Sequence, residues 1–340
     1  MKYLIIGGTG LISTPITNFL LGMGEDVTLY NRGQRPARLP EGVKMIHGDR
    51  TDFNAFEAQI AEAGKFDFII DMVCFRPEEA QSVVRAFKGR VDQIVFCSTV
   101  DVYSKPANRL PYTETEPRKG ITDYARNKIA CEDIFMQAHN QGDFNVTIIR
   151  PAATYGEGGV IIHTFGWRTT YLDRIRKGKP VIVHGDGNSL WVMCHIDDVA
   201  RAHIAACGNP LTYGRAYHTT GEEWLTWNKY HHIVAEAMGA PQPILVHIPT
   251  DLLDRIAPER AGITANNFQY SNIFDNTNAH LDLGFRYTIP FKEGARRTIE
   301  WLISQNRIEN SDEDPFDDAV LAAWELLSNK LKQESAGIQS

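Results

Sequence analysis

The chain has 340 residues, 43% of them hydrophobic, and a formal net charge of −7. That length suits a large core and two structural regions. The mildly acidic balance argues against non-specific nucleic-acid binding, which needs a strong basic field. Basic clusters at Arg32, Arg35 and Arg38, and at Arg168, Arg174, Arg176, Lys177 and Lys179, read as solvated faces. Five cysteines, odd in number, widely spaced and without CxxC, suggest neither a disulfide framework nor a zinc site. The start MKYLIIGG lacks the pattern of a signal peptide, and no stretch approaches the ~20 apolar residues of a membrane span, so a cytoplasmic protein is expected.

In chain order, Tyr3–Ile6 reads as a strand, Leu11–Leu21 as a helix, and Val27–Tyr30, Val43–Ile46 and Phe68–Ile70 as further strands. Pro77–Phe87 fits a helix with Pro in its first turn. Gln93–Cys97 is a fifth strand, Tyr124–His139 a long helix and Val146–Ile149 a sixth strand. This alternation predicts an α/β fold: a Rossmann-type, doubly wound parallel sheet. Past Arg150-Pro151 the alternation fails; Asp197–Cys207 reads as a helix returning to the sheet and Tyr217–Thr219 as a strand. The expected organisation is a dinucleotide-binding domain over 1–155, to which 190–220 returns, and a smaller C-terminal substrate lobe from 156–189 and 221–310. A peripheral helix or partner-contacting tail then occupies 311–340, beginning with the acidic run SDEDPFDD.

The segment Gly7-Gly8-Thr9-Gly10 follows the first strand and opens the first helix. That placement predicts a phosphate-binding turn. Gly7 permits the tight bend, Gly10 lets backbone approach a pyrophosphate, and Thr9, Leu11 and Ile12 complete the turn at the helix N-terminus. The third glycine of such turns falls at Ser13, which is small enough to keep the helix near the sheet. After the second strand comes Tyr30-Asn31-Arg32-Gly33, with no acid to bond an NAD ribose and an arginine able to meet a 2′-phosphate. The expected cofactor is NADP or NAD, with NADP favoured by Asn31-Arg32; the alternative is that Arg32 stacks on adenine or faces water. Asp49 and Arg50 of HGDR are placed to reach the adenine, although Asp49 could equally be a turn or helix-cap residue.

Tyr124 and Lys128, four apart on a predicted helix, share one face. An ammonium beside a phenol favours the phenolate, and such a tyrosine can exchange a proton with a carbinol while hydride moves to or from nicotinamide. The histidines His163, His184 and His195 pair with nothing at metal spacing, and packing is their expected role, although His163 could enter a substrate cleft.

With GGTGLIS, CSTVDVYS, YARNK, RPAATYG and HIDDVARAH, residues 1–305 resemble the extended branch of the short-chain dehydrogenase/reductase superfamily, the NAD(P)-dependent epimerases and dehydratases. The LYNRG, HGDR and IIDMVCFRPEE segments resemble an atypical subgroup of epimerases, reductases and plastid RNA-binding relatives. The resemblance implies a triad of Thr99, Tyr124 and Lys128: Thr99 on the substrate oxygen, Tyr124 as proton carrier, Lys128 holding the ribose and tuning Tyr124. It also implies Pro151 at the cofactor and a possible homodimer through helices 77–87 and 124–139. Asp101, two residues after Thr99, is either an added base or a loop carboxylate capping backbone amides.

Departures from the family pattern bear on substrate. Ala153 replaces the Asn of nucleotide-sugar enzymes, Trp191 replaces an arginine that grips the diphosphate, and the second such arginine, expected before Asp275, is not evident in YSNIFDN. The leading expectation is an epimerase or dehydratase acting on a carbinol carbon of a sugar or nucleotide sugar. The alternatives are an NADP-dependent reductase of another small molecule, or a catalytically inactive protein binding RNA or a partner. The expected partner is a small-molecule substrate, with no membrane and with nucleic acid disfavoured.

Overall fold

The computed structural model describes residues 1–34 and 41–336; Arg35 and Arg38 lie outside the described residues. The chain divides into two compact units, the first from Met1–Gly156, Val192–Glu223 and Ile273–Phe291. In it run β1 (Lys2–Ile6), α1 (Ser13–Gly22), β2 (Asp26–Asn31), β3 (Lys44–His47), α2 (Phe53–Glu62), β4 (Phe68–Asp71) and α3 (Pro77–Phe87). Then follow β5 (Gln93–Cys97), α4 (Asp123–Asn140), β6 (Asn145–Pro151) and β7 (Ala153–Tyr155).

The chain next enters the second unit, formed by Glu157–Trp191, Trp224–Asn272 and Lys292–Ser340. It contributes α5 (Thr170–Arg176), β8 (Val181–His184) and β9 (Leu190–Trp191) there. Back in the first unit it forms β10 (Met193–His195), α6 (Ile196–Ala206) and β11 (Arg215–Thr219). The rest of the second unit holds β12 (Leu225–Thr226), α7 (Trp227–Ala237), β13 (Leu245–Ile248), α8 (Thr250–Ile256), α9 (Pro258–Ile263), most of α10 (Phe291–Ser304) and α11 (Phe316–Ala336).

The first unit is built on a seven-stranded sheet in the order β11-β6-β5-β4-β1-β2-β3. Every neighbouring pair is parallel. Strand β4 is buried along its whole length, as is β1 beyond Lys2, which is why these strands read as continuous apolar runs. One face of the sheet packs Leu4, Ile6, Ile69, Ile94 and Phe96 against α2, α3 and α4. The other packs Ile5, Leu29, Ile70, Val95 and Ile149 against α1 and α6. Strand order reverses between β1 and β4, so a crevice opens at the carboxyl ends of these two strands.

The helices around the crevice start where their caps dictate. Glu79 folds back to accept the backbone N–H of Phe75 (2.6 Å) and Arg76 (3.1 Å) at the head of α3. Thr122 accepts the N–H of Ala125 (3.1 Å) to begin α4. The first helix begins at Ser13 rather than Leu11, because the glycine turn extends two residues further than apolar periodicity suggests. Helix α2, capped by Asp52, adds an element between the third and fourth strands that apolar spacing did not reveal.

In the second unit a small core joins Phe165, Ile182, Ile248, Leu253 and Ala261 to Phe316, Val320, Leu321 and Trp324 of α11. The C-terminal segment is therefore part of this core through its first turns. The basic cluster expected on a solvated face is paired with the acidic run. Arg174, 1% exposed, holds Asp318 (2.7 Å), Lys177 and Lys179 hold Asp312 (2.6 and 2.5 Å), and Arg168 holds Asp314 (2.8 Å).

Candidate active site

A cavity of about 250 Å³ opens at the crevice, entirely within the first unit. Gly7, Gly10, Leu11 and Ile12 line one side, Met72, Val73 and Phe75 from the loop after β4 another, and Thr99, Tyr124, Lys128 and Pro151 the rest. Of the residues singled out in the sequence, nine are brought together here: Gly7, Gly10, Leu11, Ile12, Ser13, Thr99, Tyr124, Lys128 and Pro151. Thr9 lies in the same turn without lining the cavity.

The glycine turn fits a diphosphate. Gly7 has φ +88°, and a Cβ there would come within 2.4 Å of Val73 Cγ1, so no other residue fits without displacing the loop after β4. Ser13 replaces a glycine with a working hydroxyl: it accepts the Gly10 N–H (2.7 Å) and donates to the Gly7 carbonyl (2.7 Å), which staples the turn shut. Helix α1 carries no side-chain cap, leaving its N-terminal amides for an anion.

The second-strand residues are arranged differently. Asn31 Oδ1 accepts the Gly33 N–H (2.8 Å), shaping the turn, and Arg32 is exposed. Asp49 is exposed and held below the usual carboxylate range by the N–H and hydroxyl of Thr51, with a smaller contribution from the charge of Arg32. Arg50 is buried: its guanidinium pairs with Asp71 (2.7 Å) and donates to the Glu79 carbonyl (3.1 Å), tying β4 to α3. Its neighbour at 49 is the one left facing outward.

Thr99 follows β5, and its hydroxyl accepts the N–H of Asp101 (3.1 Å) across a short 3-10 turn. The adjacent Ser98 is occupied elsewhere, donating to Glu132 (2.6 Å) in the interior. Lys128 is 2% exposed, and its ammonium donates to the backbone carbonyls of Cys74 (2.9 Å) and Cys97 (2.7 Å), beneath the rings of Phe75 and Phe96. It thus bridges the loops after β4 and β5.

Tyr124 opens the helix with 42% of its surface exposed, and its ring lies 6.4 Å from that of Phe75. Desolvation of the phenol by its surroundings, then the nearby Asp101 carboxylate, push its pKa above the ordinary tyrosine value; Thr99 pulls the other way. The expected lowering by Lys128 is not found here, because that ammonium is directed at two carbonyls. Asp101 itself pairs with Lys105 (2.9 Å), whose side chain is buried.

Through Ser98, the neighbour of Thr99, the chain enters a buried polar network that sequence reading missed. Glu132, one turn beyond Lys128 on α4, accepts from Arg150 Nε (2.8 Å) and Nη2 (2.7 Å), and from Arg118 (2.9 Å). Arg150 also donates to the Tyr103 hydroxyl (2.7 Å), which lies 2.6 Å from His218 Nε2. Burial disfavours the Glu132 carboxylate, but hydrogen bonds from Arg150 and Ser98 and the charge of Arg118 outweigh it and hold its pKa below the usual range. The available sequence signal was Glu132 four residues after Lys128, and hence on the same helix face.

In the second unit, Trp191 is 5% exposed and packed against Trp227 and Phe268, with ring centroids at 5.2 and 4.9 Å, so it is a core residue. His163 is buried and stacked on Tyr171 at 4.4 Å. Among the described residues no helix is long and apolar enough to cross a membrane.

A profile of the NAD dependent epimerase/dehydratase family matches residues 3–218. A 2'-dehydrokanamycin reductase of Streptomyces kanamyceticus is 28% identical over 92% of this chain and 87% of its own. The chloroplast stem-loop binding protein of 41 kDa b of Arabidopsis thaliana is 27% identical over 72% of this chain and 65% of its own. Among solved structures, the UDP-glucose 4-epimerase of Thermotoga maritima with UDP-glucose superposes with a TM-score of 0.72 at 18% identity, covering 90% of this chain and all (100%) of that one. At that identity the likeness shows a shared fold.

Proposed function

The chain belongs to the NAD dependent epimerase/dehydratase family, and from that premise we propose that it oxidises and reduces a carbinol carbon of a sugar or nucleotide sugar, with NAD(P) as cofactor. One observation carries this reading: a single cavity is lined by both the glycine turn and Thr99, Tyr124 and Lys128. A bound nicotinamide would supply the hydride acceptor and donor. Gly7, Gly10, Leu11 and Ile12 would hold its diphosphate on the amides of α1.

The Thr99 hydroxyl orients the substrate oxygen, and the Tyr124 phenol exchanges a proton with it. With Tyr124 raised by its surroundings, the phenol rests protonated and ready to donate to a developing alkoxide. Lys128 keeps the loops after β4 and β5 at the spacing the cavity requires. Asp101, held by Lys105, is in range to influence Tyr124 and to act as a second proton carrier. A homodimer through α3 and α4 belongs to the same reading.

A second reading, an NADP-exchanging reductase of another small molecule, is favoured by Trp191. Its burial leaves no arginine at that position to grip a diphosphate. The exposed Arg32 suits a 2′-phosphate in this reading. The test is to denature freshly purified protein and identify any released dinucleotide by mass spectrometry. Stoichiometric NAD supports the epimerase or dehydratase. NADP, or an empty site that binds NADPH reversibly, supports the reductase. A protein that binds neither dinucleotide overturns both.

A further inference from the structure

The second unit contains an open cavity of about 550 Å³, lined by Val160, Phe165, Trp167, Arg168, Thr169, Glu259, Arg260, Arg307 and Glu309. Its charges fall into two groups. Arg168 and Arg260 share the carboxylate of Asp314, at 2.8 and 2.9 Å. Glu309 accepts the N–H of Thr169 (2.6 Å) and lies 3.5 Å from Arg168. Arg168, Arg260, Asp314 and Glu309 thus neutralise one another.

Arg307 and Glu259 remain. Among the described residues neither has an ion-pair partner. Arg307 reaches only the Gly158 carbonyl, at 3.5 Å, and lies 5.0 Å over the Trp301 ring. They come from separate segments, the chain after α10 and helix α9, and line the same space. Trp167 adds an aromatic side chain that is 63% exposed, and Val160 and Phe165 add apolar surface.

A guanidinium and a carboxylate, each without an ion-pair partner among the described residues, and an open indole form a complementary set for a specific ligand chemistry. We propose that this cavity binds a small zwitterion carrying a flat apolar group, its acid on Arg307, its ammonium on Glu259 and its ring on Trp167. A simple anion would leave Glu259 facing it, and a simple cation would leave Arg307 facing it. Each like-charge approach opposes binding. The site is distinct in composition from the glycine-lined cavity, and the proposal holds whichever reaction that cavity performs.

The test uses the full chain and three probes differing only in charge: L-phenylalanine, 3-phenylpropionate and 2-phenylethylamine, titrated by calorimetry. The expected result is saturable binding of phenylalanine, about tenfold or more tighter than either analogue. Arg307→Gln should weaken phenylalanine while sparing phenylethylamine. Glu259→Gln should weaken phenylalanine while sparing phenylpropionate, and Trp167→Ala should weaken all three. Neither Arg307 nor Glu259 has an ion pair to lose, so both charge variants should melt within a degree or two of the parent, which separates lost binding from lost fold. No saturable phenylalanine binding, equal affinity for an analogue, or parental affinity in both charge variants would each overturn the proposal.

Discussion

Glu132 and Arg150 form a two-point ion pair in the interior, with both oxygens of the carboxylate engaged by one guanidinium at 2.8 and 2.7 Å. Neither side chain has meaningful access to water. The pair joins α4 to the end of β6, and Ser98, the residue after β5, donates to the same carboxylate. Glu132→Ala leaves a buried guanidinium with an uncompensated charge, which costs about 3–5 kcal/mol. Chemical denaturation should show that loss. A variant as stable as the parent would mean that water replaces the carboxylate without penalty.

Tyr124→Phe removes one hydroxyl from an exposed side chain and should leave stability nearly unchanged. With the true substrate, kcat should fall by roughly 10²–10⁴-fold, the range for a lost general acid or base. Dinucleotide binding should survive. Full turnover in this variant would remove Tyr124 from the proton-transfer role.

Lys128→Met deletes two charged hydrogen bonds, to the carbonyls of Cys74 and Cys97. Bonds of this type contribute about 1.5–3 kcal/mol each, so a measurable loss of stability is expected together with weaker dinucleotide binding. Gly7→Ala separates the two effects. It crowds Val73 and forces a positive φ onto alanine, so it should lower dinucleotide affinity while Lys128 still joins its loops. Unchanged affinity in Gly7→Ala would show that the turn does not hold the diphosphate.

The parallel sheet was legible because each strand is a short apolar run bounded by turn residues, and helix 77–87 was legible to the residue because Pro77 fixes its start. The glycine turn and the pair Tyr124 and Lys128 were legible because their spacing is local. Arg50 was misread because its partner, Asp71, lies 21 residues away at the end of β4. The basic cluster around Arg174 was misread for the same reason, since its carboxylates arrive 144 residues later at Asp318. Long-range pairing of charges leaves no periodic trace in either segment. Trp191 illustrates the converse: the sequence showed only that a tryptophan stands where the family carries an arginine, and packing against Trp227 makes it a core residue.

Five buried histidines set a pH dependence. Burial depresses His184, His203, His218 and His231 to about 4, and His163 well below its ordinary value. In the unfolded chain each returns to about 6.5. Below that value the unfolded chain takes up protons that the fold refuses, so stability is full above about pH 6.5 and falls as pH drops towards 4. Melting temperature should decline over that window. His203→Gln, which removes one of the five groups, should shallow the decline. A flat profile from pH 7 to 4.5 would contradict the buried, neutral state of these rings.

The acidic segment ahead of α11 is fastened by both charge and packing, and the two can be ranked. Asp312 pairs with Lys177 and Lys179, but all three are solvent-accessible, and screened pairs of this kind contribute little. Phe316 places its ring 5.3 Å from Phe165, edge to face, and 4.2 Å beneath the guanidinium of Arg260. Truncating such an aromatic removes apolar contact, a ring pair and a cation–π contact together, a loss of about 2–4 kcal/mol. Phe316→Ala should therefore lower the unfolding midpoint of the second unit clearly. Asp312→Asn should shift it little, and less still in 1 M salt. If the order were reversed, the charges rather than the core would hold this segment, and raising the salt concentration alone would release α11.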